Sequence, residues 1–407
     1  MNDKDSRRGS LSGKKIVLLA EYYSSGGTRT YLMQLLDFYA ISGAEVVLVG
    51  LERTPDYQVS QLLKQHGFRY RNYWTILSGK RDSEAKPPVW SPLFIRKERA
   101  AFHRYLLGTE ADGIVVSAGT PGQFVGAAGA VDASIYILHT YPHGRRQERL
   151  GRFIIGPAIR KVGRVVAVSR FQQSEMNRLW KLEVDDGAFT VIVNTAGPPL
   201  LSERGQEASP CRVITASWVE PYKEPWEWLE VARRVSQIVG PQNVHFVWFG
   251  EGRMLDECRQ AAEDIGPTRN VEFVGHAEQL SSAYREACVY LQLSSTENMS
   301  LSTIEALRYA LPIVSTKVGG LSEISIDGQT GLLVAAHDID AATDAVVSLI
   351  GDSGARQRMS AAAKARYATK FSLEGWLEAM TLLHLQLFER LDERVGREPP
   401  RGLKDGT

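Results

Sequence analysis

SSTENMSLSTIEALRYALPIVSTKVGGLSEISIDGQTGLLV, residues 294–334, is the stretch that decides the fold class of this chain. It follows an apolar run, Cys288 to Leu293, that has the composition of a buried parallel strand. Apolar residues then recur at the spacing of one helix face from Leu301 to Ala310, and Pro312 ends that helix. A second apolar run leads to the glycine pair Gly319-Gly320. A buried strand, a helix and another buried strand in this order indicate a parallel α/β sheet.

Two carboxylates flank the start of the predicted helix. Glu297 precedes it and Glu305 lies inside it, and we expect the backbone N–H groups of Met299, Ser300 and Leu301 to form its first turn. Unpaired N–H groups at a helix N-terminus attract phosphate, because the positive end of the helix dipole lies there. Carboxylates repel phosphate but accept hydrogen bonds from sugar hydroxyls. A sugar joined to a phosphate is therefore the ligand that suits both features.

Glu305 also has a purely structural interpretation. Ser302 and Glu305 have the spacing of a capping box, in which the two residues pair with each other's backbone N–H groups at the start of a helix. In that case Glu305 only stabilises the helix. The two interpretations differ in what Glu305 contributes, since the first predicts ligand affinity and the second predicts thermal stability.

The whole stretch closely resembles the signature of the retaining nucleotide-sugar glycosyltransferases of family 4. That signature has two glutamates with seven residues between them, then alanine, a small residue and proline, a Gly-Gly pair before an acidic residue, and a Gly-x-x-Gly-Leu turn. The matching residues here are Glu297, Glu305, Ala306, Ala310, Pro312, Gly319, Gly320, Glu323, Gly328, Gly331, Leu332 and Leu333. The resemblance extends over nearly the whole chain. It implies the GT-B fold, in which two Rossmann-like domains face each other across a cleft that holds the donor.

The 407 residues are enough for two domains, and strand-like apolar runs alternate with helical stretches along both halves. Each half contains six such runs, which predicts two α/β domains with parallel sheets covered by helices. The predicted segments are a disordered lead-in at 1–13, an N-terminal acceptor domain at 14–196, a linker at 197–210, a C-terminal donor-nucleotide domain at 211–371, a crossover helix at 372–394 that returns to the first domain, and a disordered tail at 395–407.

Composition excludes several other classes of protein. A net charge of +1 argues against a dedicated nucleic-acid binder. The chain has no apolar run of about 18 residues, the length that would indicate a membrane span, and the first 15 residues lack the apolar core of a signal peptide. Cys211, Cys258 and Cys288 are scattered and lack metal-ligand spacing. These features predict a cytoplasmic protein.

In the first half, the family resemblance assigns binding roles to a glycine turn and a histidine. Gly26 and Gly27 lie between a predicted strand and a helix, where glycines let the backbone approach a ligand closely. In the family the matching loop contacts donor phosphate or acceptor. His139 follows another predicted strand, where the family often places a histidine against the donor sugar. The alternatives are a plain tight turn and a structural histidine.

A basic segment follows at residues 142–164, which contain seven positively charged residues and one glutamate. Such a segment is often a solvated helix face. With Leu150, Phe153, Ile154 and Ile155 on the same helix, it also suits peripheral contact with an anionic membrane surface. The sequence is compatible with both interpretations, a solvated helix face and a membrane contact.

The second half departs from the family in its first loop. The family binds the donor diphosphate there with an arginine and a lysine; Lys223 matches the lysine, but Trp218 stands at the arginine position and Glu224 replaces the usual glycine. Nothing nearby in the sequence obviously replaces the two-pronged contact of arginine. Gly250 matches the glycine turn after the next strand, and Val274 lies where the family often meets the base. Both also fit ordinary turns.

These features predict a retaining, metal-independent glycosyltransferase that moves a sugar from a nucleotide diphosphate, with UDP favoured, to a hydroxyl of a glycan, lipid-linked or envelope polysaccharide acceptor. Lys223 and the helix N–H groups would stabilise the charge that develops on the diphosphate, Glu297 would bind the donor sugar, and Glu305 the ribose. No cofactor and no metal are expected, because no Asp-x-Asp lies at the end of a strand.

Two alternatives belong to other functional classes. One is a catalytically inactive relative that acts as a binding or partner-stabilising module, an idea motivated by Trp218 and Glu224. The other is a different GT-B enzyme, such as a sugar-nucleotide epimerase; a large phosphorylase would need a pyridoxal site and a longer chain. Hydrolysis of the donor in the absence of acceptor would distinguish a working transferase from an inactive relative.

Overall fold

The computed structural model describes residues 9–22, 26–79, 88, 91–141, 145–181, 189–200, 209–264, 270–277 and 279–396, without the side chains of 145–150 and 391–396. The chain divides into two compact units. Unit 1 comprises Met1–Val168, Gln172–Ile192 and Leu377–Thr407, and unit 2 comprises Ser169–Phe171 and Val193–Trp376. Each unit is built around one parallel sheet, which confirms the predicted fold class.

Unit 1 contains a seven-stranded parallel sheet in the order β3-β2-β1-β4-β5-β6-β7. Its central strands are buried along their whole length because helices cover both faces of the sheet. The strands are β1 (Lys15–Ala20), β2 (Glu45–Gly50), β3 (Arg69–Asn72), β4 (Gly113–Ala118), β5 (Ser134–Leu138), β6 (Arg164–Ala167) and β7 (Phe189–Val191). The helices are α1 (Gly27–Ser42), α2 (Tyr57–His66), α3 (Tyr73–Ser78), α4 (Pro92–Thr109), α5 (Val125–Ala128), α6 (Arg145–Ile159) and α7 (Arg170–Trp180).

Strand β3 is absent from the sequence-based prediction, which gave six strands to this half. It pairs with β2 at the edge of the sheet, where Val47 lies opposite Arg69. Its sequence, Arg-Tyr-Arg-Asn, leaves both arginines exposed. Charged side chains are common on edge strands, because they discourage pairing with other chains. An edge strand of this kind lacks the apolar run by which the buried strands were recognised.

The predicted lead-in is wrong for its last five residues. Gly9–Gly13 form a turn, and the backbone N–H of Leu11 donates to the carbonyl of Ser42 at 2.8 Å. The side chain of Leu11 is buried against unit 1. Residues 1–8 lie outside the described part of the chain. A single leucine in a polar segment gave too weak a signal to predict this packing.

Unit 2 contains a parallel sheet of six strands, the number predicted, in the order β10-β9-β8-β11-β12-β13. The chain moves outward from β8 to β10 and then returns to place β11 on the other side of β8. Ligands of open α/β sheets bind outside the carboxyl ends of the strands at such a switch point. The strands are β8 (Cys211–Ala216), β9 (Val244–Phe249), β10 (Val271–Gly275), β11 (Val289–Gln292), β12 (Ile313–Thr316) and β13 (Gly331–Val334). The helices are α8 (Pro225–Val239), α9 (Leu255–Glu263), α10 (Ser281–Glu286), α11 (Leu301–Arg308), α12 (Leu321–Ile324), α13 (Ile339–Gly351) and α14 (Ser353–Lys370).

The last helix, α15 (Leu373–Gly396), returns to unit 1. The ring of His384 is buried, and its Nε2 lies 3.0 Å from the hydroxyl of Tyr39 on α1. Burial lowers the pKa of His384 to about 4, so its ring is neutral and the pair is an uncharged hydrogen bond. This packing confirms the predicted crossover helix. No helix within the described ranges is long and apolar enough to cross a membrane.

Candidate active site

The loops that follow β8 and β11 meet at the switch point of the second sheet. The backbone N–H of Ser295 donates to the carbonyl of Tyr222 at 3.0 Å, which ties the two loops together. Beside this bond, the ammonium of Lys223 forms a close ion pair with the carboxylate of Glu297. Lys223 is only 7% exposed. The structure thus brings together two predicted site residues that are far apart in the sequence.

A short 3-10 turn, Pro221–Lys223, positions Lys223. The backbone N–H of Lys223 donates to the carbonyl of Glu220 at 2.9 Å, and its ammonium lies 5.3 Å from the centre of the Tyr222 ring. Glu224 adopts a positive φ of 51°, the left-handed conformation that favours glycine. The glycine usual in the family would adopt this conformation without strain, so Glu224 replaces it at a cost in backbone energy.

The predicted glycine pair sets the position of Glu297. A Cβ added to Gly319 would lie 1.9 Å from the carbonyl oxygen of Glu297, and one added to Gly320 would lie 1.5 Å from that of Asn298. The backbone N–H of Gly320 donates to the carbonyl of Glu297 at 3.2 Å. Two backbones therefore pack directly against each other, which only glycine permits. Glu323, the acidic residue of the same motif, accepts hydrogen bonds from the N–H groups of Arg170 and Phe171.

Helix α11 begins later than predicted. Its first residue is Leu301 and Ser300 is its N-cap, so Met299 and Ser300 precede the helix. The side chain of Ser300 accepts a hydrogen bond from the N–H of Thr303 at 3.3 Å. Among the described residues, the N–H groups of Met299, Ser300 and Leu301 have no hydrogen-bond acceptor. The three predicted anion-binding N–H groups are thus unpaired, although only Leu301 belongs to the first turn.

The capping-box interpretation of Glu305 is wrong, because Ser300 rather than Ser302 caps the helix. Ser302 instead accepts a hydrogen bond from the hydroxyl of Tyr290 at 2.9 Å. The half-buried carboxyl of Glu305 interacts with the hydroxyl of Tyr284. Burial raises the pKa of Glu305, and the hydrogen bond from Tyr284 partly opposes that rise. No sequence motif marked Tyr284 as the partner of this glutamate.

The predicted glycine turn after β9 packs onto the loop that carries Lys223. Gly250 has a φ of 144°, and a Cβ there would lie 1.9 Å from the carbonyl oxygen of Ser217. Its N–H donates to the carbonyl of Gly275 at 2.8 Å, next to the exposed side chain of Val274. Gly250 therefore holds three adjacent loops together, and Val274 lies at the same edge of the sheet.

Trp218 stands where the family has an arginine, and its side chain is partly exposed at the same edge of the second sheet. An arginine does come close to the loop, from a position that the sequence did not indicate. The guanidinium of Arg253, in the loop after β9, lies 3.0 Å from the carboxylate of Glu220 and is otherwise largely exposed. A second cation therefore stands beside the loop of Lys223, brought there by the pairing of β8 with β9.

The predicted site residues of the first half lie in unit 1. Gly26 has a φ of 97° and is the N-cap of α1, which begins at Gly27; both are exposed. The Nε2 of His139 lies 2.8 Å from the hydroxyl of Ser117, and its ring packs edge-on against Tyr31 at 4.6 Å. Burial lowers the pKa of His139 to about 4. His139 is thus neutral at physiological pH.

One group of side chains in the described ranges has the geometry of a metal site. Carboxylate or ring atoms of Glu224, Glu227 and His337 all lie within 4.8 Å of one another. The hydrogen bond that the ring of His337 donates to the carboxylate of Glu227 raises the pKa of the exposed His337. The Asp-x-Asp sequence at Asp338 and Asp340 has structural partners instead, since Asp338 caps α13 and Asp340 pairs with Arg234.

Part of the chain is similar to a known protein family. Residues 205–366, which include both glutamates and Lys223, match the family of group 1 glycosyl transferases. D-inositol 3-phosphate glycosyltransferase of Corynebacterium urealyticum is 31% identical over 156 residues, which are 38% of this chain and 37% of that protein. The match thus spans little more than a third of that relative's length.

Solved structures show the same fold over nearly the whole chain. Sucrose-phosphate synthase of Thermosynechococcus elongatus has a TM-score of 0.72 at 18% identity and covers 93% of this chain and 100% of its own. Anabaena HepE in complex with UDP-glucose has a TM-score of 0.66 at 17% identity and covers 93% and 99%. Residues 205–366 are therefore similar to the group 1 glycosyl transferases, and the two α/β units have the GT-B fold.

Proposed function

We propose that this protein is a retaining glycosyltransferase that moves a sugar from a UDP-sugar to a hydroxyl of a glycan, lipid-linked or envelope polysaccharide acceptor. The observation that carries the proposal is the Lys223–Glu297 ion pair beside the open N–H groups before α11, inside a group 1 glycosyl transferase domain. The complex of HepE with UDP-glucose, a protein of the same fold, supports UDP over other nucleotides.

The two residues of the ion pair bind different parts of the donor: Lys223 the diphosphate and Glu297 the sugar. Breakage of the bond to the anomeric carbon leaves negative charge on the diphosphate, which the ammonium of Lys223 and the N–H groups of Met299, Ser300 and Leu301 stabilise. Glu297 accepts hydrogen bonds from the donor sugar, and Glu305 from the ribose. The ion pair with Lys223 holds the carboxylate of Glu297 in place to accept these hydrogen bonds. The acceptor hydroxyl enters on the face that the phosphate leaves, and the leaving phosphate takes its proton.

The remaining assignments follow from this reaction. Gly26, Gly27 and the neutral His139 contact the donor or the acceptor, while Gly250 and Val274 lie toward the base. The enzyme works in the cytoplasm, where nucleotide sugars are made. An inactive relative and an epimerase are the competing functions; turnover of donor with acceptor excludes the first, and formation of a new glycosidic bond excludes the second.

UDP or a UDP-sugar should raise the melting temperature more than GDP or ADP counterparts do. A ligand that binds only the folded state stabilises it by mass action, by about 2.7 kcal/mol at a hundred times its Kd. A thermal-shift screen of the three nucleotides and their glucose conjugates measures this directly. A larger shift with GDP would reassign the donor, and no shift with any of them would favour the inactive relative.

Turnover should survive EDTA, because Lys223 and backbone N–H groups supply the positive charge that a metal would otherwise provide. The measurement is donor turnover with EDTA and after addition of magnesium. Activity that EDTA abolishes and magnesium restores would contradict the proposal. Glu227→Gln would then show whether the group formed by Glu224, Glu227 and His337 is the metal site.

Glu305→Ala should raise the donor KM by roughly tenfold or more and leave kcat nearly unchanged, since ribose contacts are equal in the ground and transition states. Glu305→Gln should be milder, because an amide oxygen still accepts a hydrogen bond.

The donor KM of the parent should rise as the pH falls through the raised pKa of Glu305. Tyr284→Phe should move that rise to higher pH, because the hydrogen bond that lowers the pKa is lost. A KM that Glu305→Ala leaves unchanged would refute the ribose contact.

A second proposal concerns the basic segment at 142–164. We infer that α6 contacts an anionic membrane surface, where each basic residue contributes about 1 kcal/mol. The side chains of Arg145, Arg146 and Arg149 lie outside the described residues. In the part of α6 with described side chains, Phe153 is 73% exposed, which suits insertion among lipid headgroups better than a solvated face.

A further inference from the structure

A pocket of about 250 Å³ lies in unit 1 between α4, α5 and α6, and the reaction proposed above does not use it. Its walls are apolar and include Ile95, Val125, Ile154 and Pro157. Ligand pockets usually measure about 300–1,000 Å³. This pocket is therefore of a size for one part of a larger molecule, such as a segment of an apolar chain.

The shape of the pocket follows from the residues that form it. Pro157 lies inside α6 and has no N–H to donate to the carbonyl of Phe153, one turn earlier, so the helix lacks one backbone hydrogen bond beside the pocket. On the opposite side Gly126 lets α5 approach α4, since a Cβ there would lie 2.4 Å from the carbonyl oxygen of Ile95. The pocket is thus built into the packing of three helices.

Three cations surround the apolar walls. Arg96 and Arg99 come from α4, and Lys161 follows α6. Within the described residues none of the three has an ion-pair or hydrogen-bond partner on its side chain. Three like charges around one opening repel each other, so an anion placed among them is favoured.

Glu98, which lies between Arg96 and Arg99 in the sequence, forms no ion pair with them. Glu98 lies on the buried side of α4, where its oxygens accept hydrogen bonds from the hydroxyl of Tyr73 and the N–H of Gly126. Burial raises the pKa of Glu98 to about 7, so a large fraction of it is uncharged at physiological pH. The pocket therefore presents positive charge at its rim over an apolar interior.

The surface near the pocket is also apolar. Phe153 lines the pocket yet is 73% exposed, and Leu93, next to the lining residue Pro92, is 78% exposed. Exposed large apolar side chains next to basic ones are typical of a surface that rests on a membrane. A free sugar phosphate would use the cations but leave the apolar walls unpaired.

We propose that this pocket binds an anionic membrane lipid, with a segment of one acyl chain between α4 and α6 and the headgroup phosphate among Arg96, Arg99 and Lys161. The inference deepens the membrane contact proposed for residues 142–164, and it adds a defined lipid-binding site to a general electrostatic attraction. Arginine suits this role because its guanidinium binds phosphate with two parallel hydrogen bonds.

The test uses decyl phosphate, below its micelle concentration, as a soluble probe in titration calorimetry with the full-length protein. We expect saturable binding at one site, with far weaker binding of inorganic phosphate and of the uncharged decyl maltoside. Arg96→Glu/Arg99→Glu should weaken binding on the order of tenfold or more, the scale of losing charge-assisted hydrogen bonds. Lys97→Glu is the matched control, since Lys97 is exposed on the same helix but does not line the pocket. Ala158→Phe should also abolish binding, because the added ring fills the pocket.

Three results would overturn the proposal: no saturable binding of decyl phosphate, equal binding of inorganic phosphate, or an equal loss in Lys97→Glu. Vesicles of phosphatidylglycerol and of phosphatidylcholine separate the pocket from the wider membrane contact. Arg145→Glu/Arg146→Glu/Arg149→Glu should lose affinity for anionic vesicles yet keep decyl phosphate binding. Vesicle binding without decyl phosphate binding would refute the pocket and leave the membrane contact standing.

Discussion

Lys223→Ala should lower the turnover number by about a hundredfold or more, the usual scale for the loss of one group that stabilises charge in the transition state. Lys223 is the buried cation of the site, and nothing else in its loop carries a positive charge. The measurement is single-turnover transfer at saturating donor, which reports the chemical step. Lys364→Ala is a matched control, because it removes an exposed lysine from α14.

Loss of stability must be separated from loss of catalysis in this variant. Removal of Lys223 leaves the poorly exposed carboxylate of Glu297 without its partner, which costs about 3 kcal/mol in a buried pair. The double variant Lys223→Ala/Glu297→Ala should recover much of the melting temperature but none of the turnover. Recovery of turnover in the double variant would show that the pair is structural. A parent protein that turns over no donor would identify an inactive relative.

Gly320→Ala should abolish most donor turnover, although residue 320 carries no chemistry. Its Cβ would lie 1.5 Å from the carbonyl oxygen of Asn298, so the backbone beside Glu297 has to move. A displacement of about 1 Å at a catalytic group costs on the order of a hundredfold in rate. Overpacking of this kind also destabilises a protein by about 1–3 kcal/mol.

The measurements for Gly320→Ala are turnover, donor affinity and melting temperature. Gly351→Ala is the control, because the structure has open space around a Cβ at Gly351, at the end of α13. That variant should be as stable as the parent or slightly more so, since alanine favours the helix. Normal turnover in Gly320→Ala would show that the position of Glu297 does not depend on the glycine pair.

The sequence by itself determined the fold class, because buried parallel strands need apolar runs and the chain has them in two alternating series. It also indicated Lys223, Glu297 and Glu305 as candidate site residues, through their spacing and their resemblance to a known signature. It could not predict β3, whose position at the sheet edge requires no apolar run. The start of α11 also escaped it, since the sequence indicated a capping box at Ser302, whereas the structure places the N-cap at Ser300.

The tertiary structure alone decided which groups act together. Lys223 and Glu297 are 74 positions apart, and they pair because β8 and β11 are neighbours in the sheet although not in the chain. The same reason explains Arg253, which reaches Glu220 from the adjacent strand β9. The sequence showed the glycine pair but not why glycine is needed there. The carbonyl groups that exclude a side chain belong to Glu297 and Asn298, in another loop. Spacing along a chain determines local structure, whereas contacts between loops depend on the order of strands in the sheet.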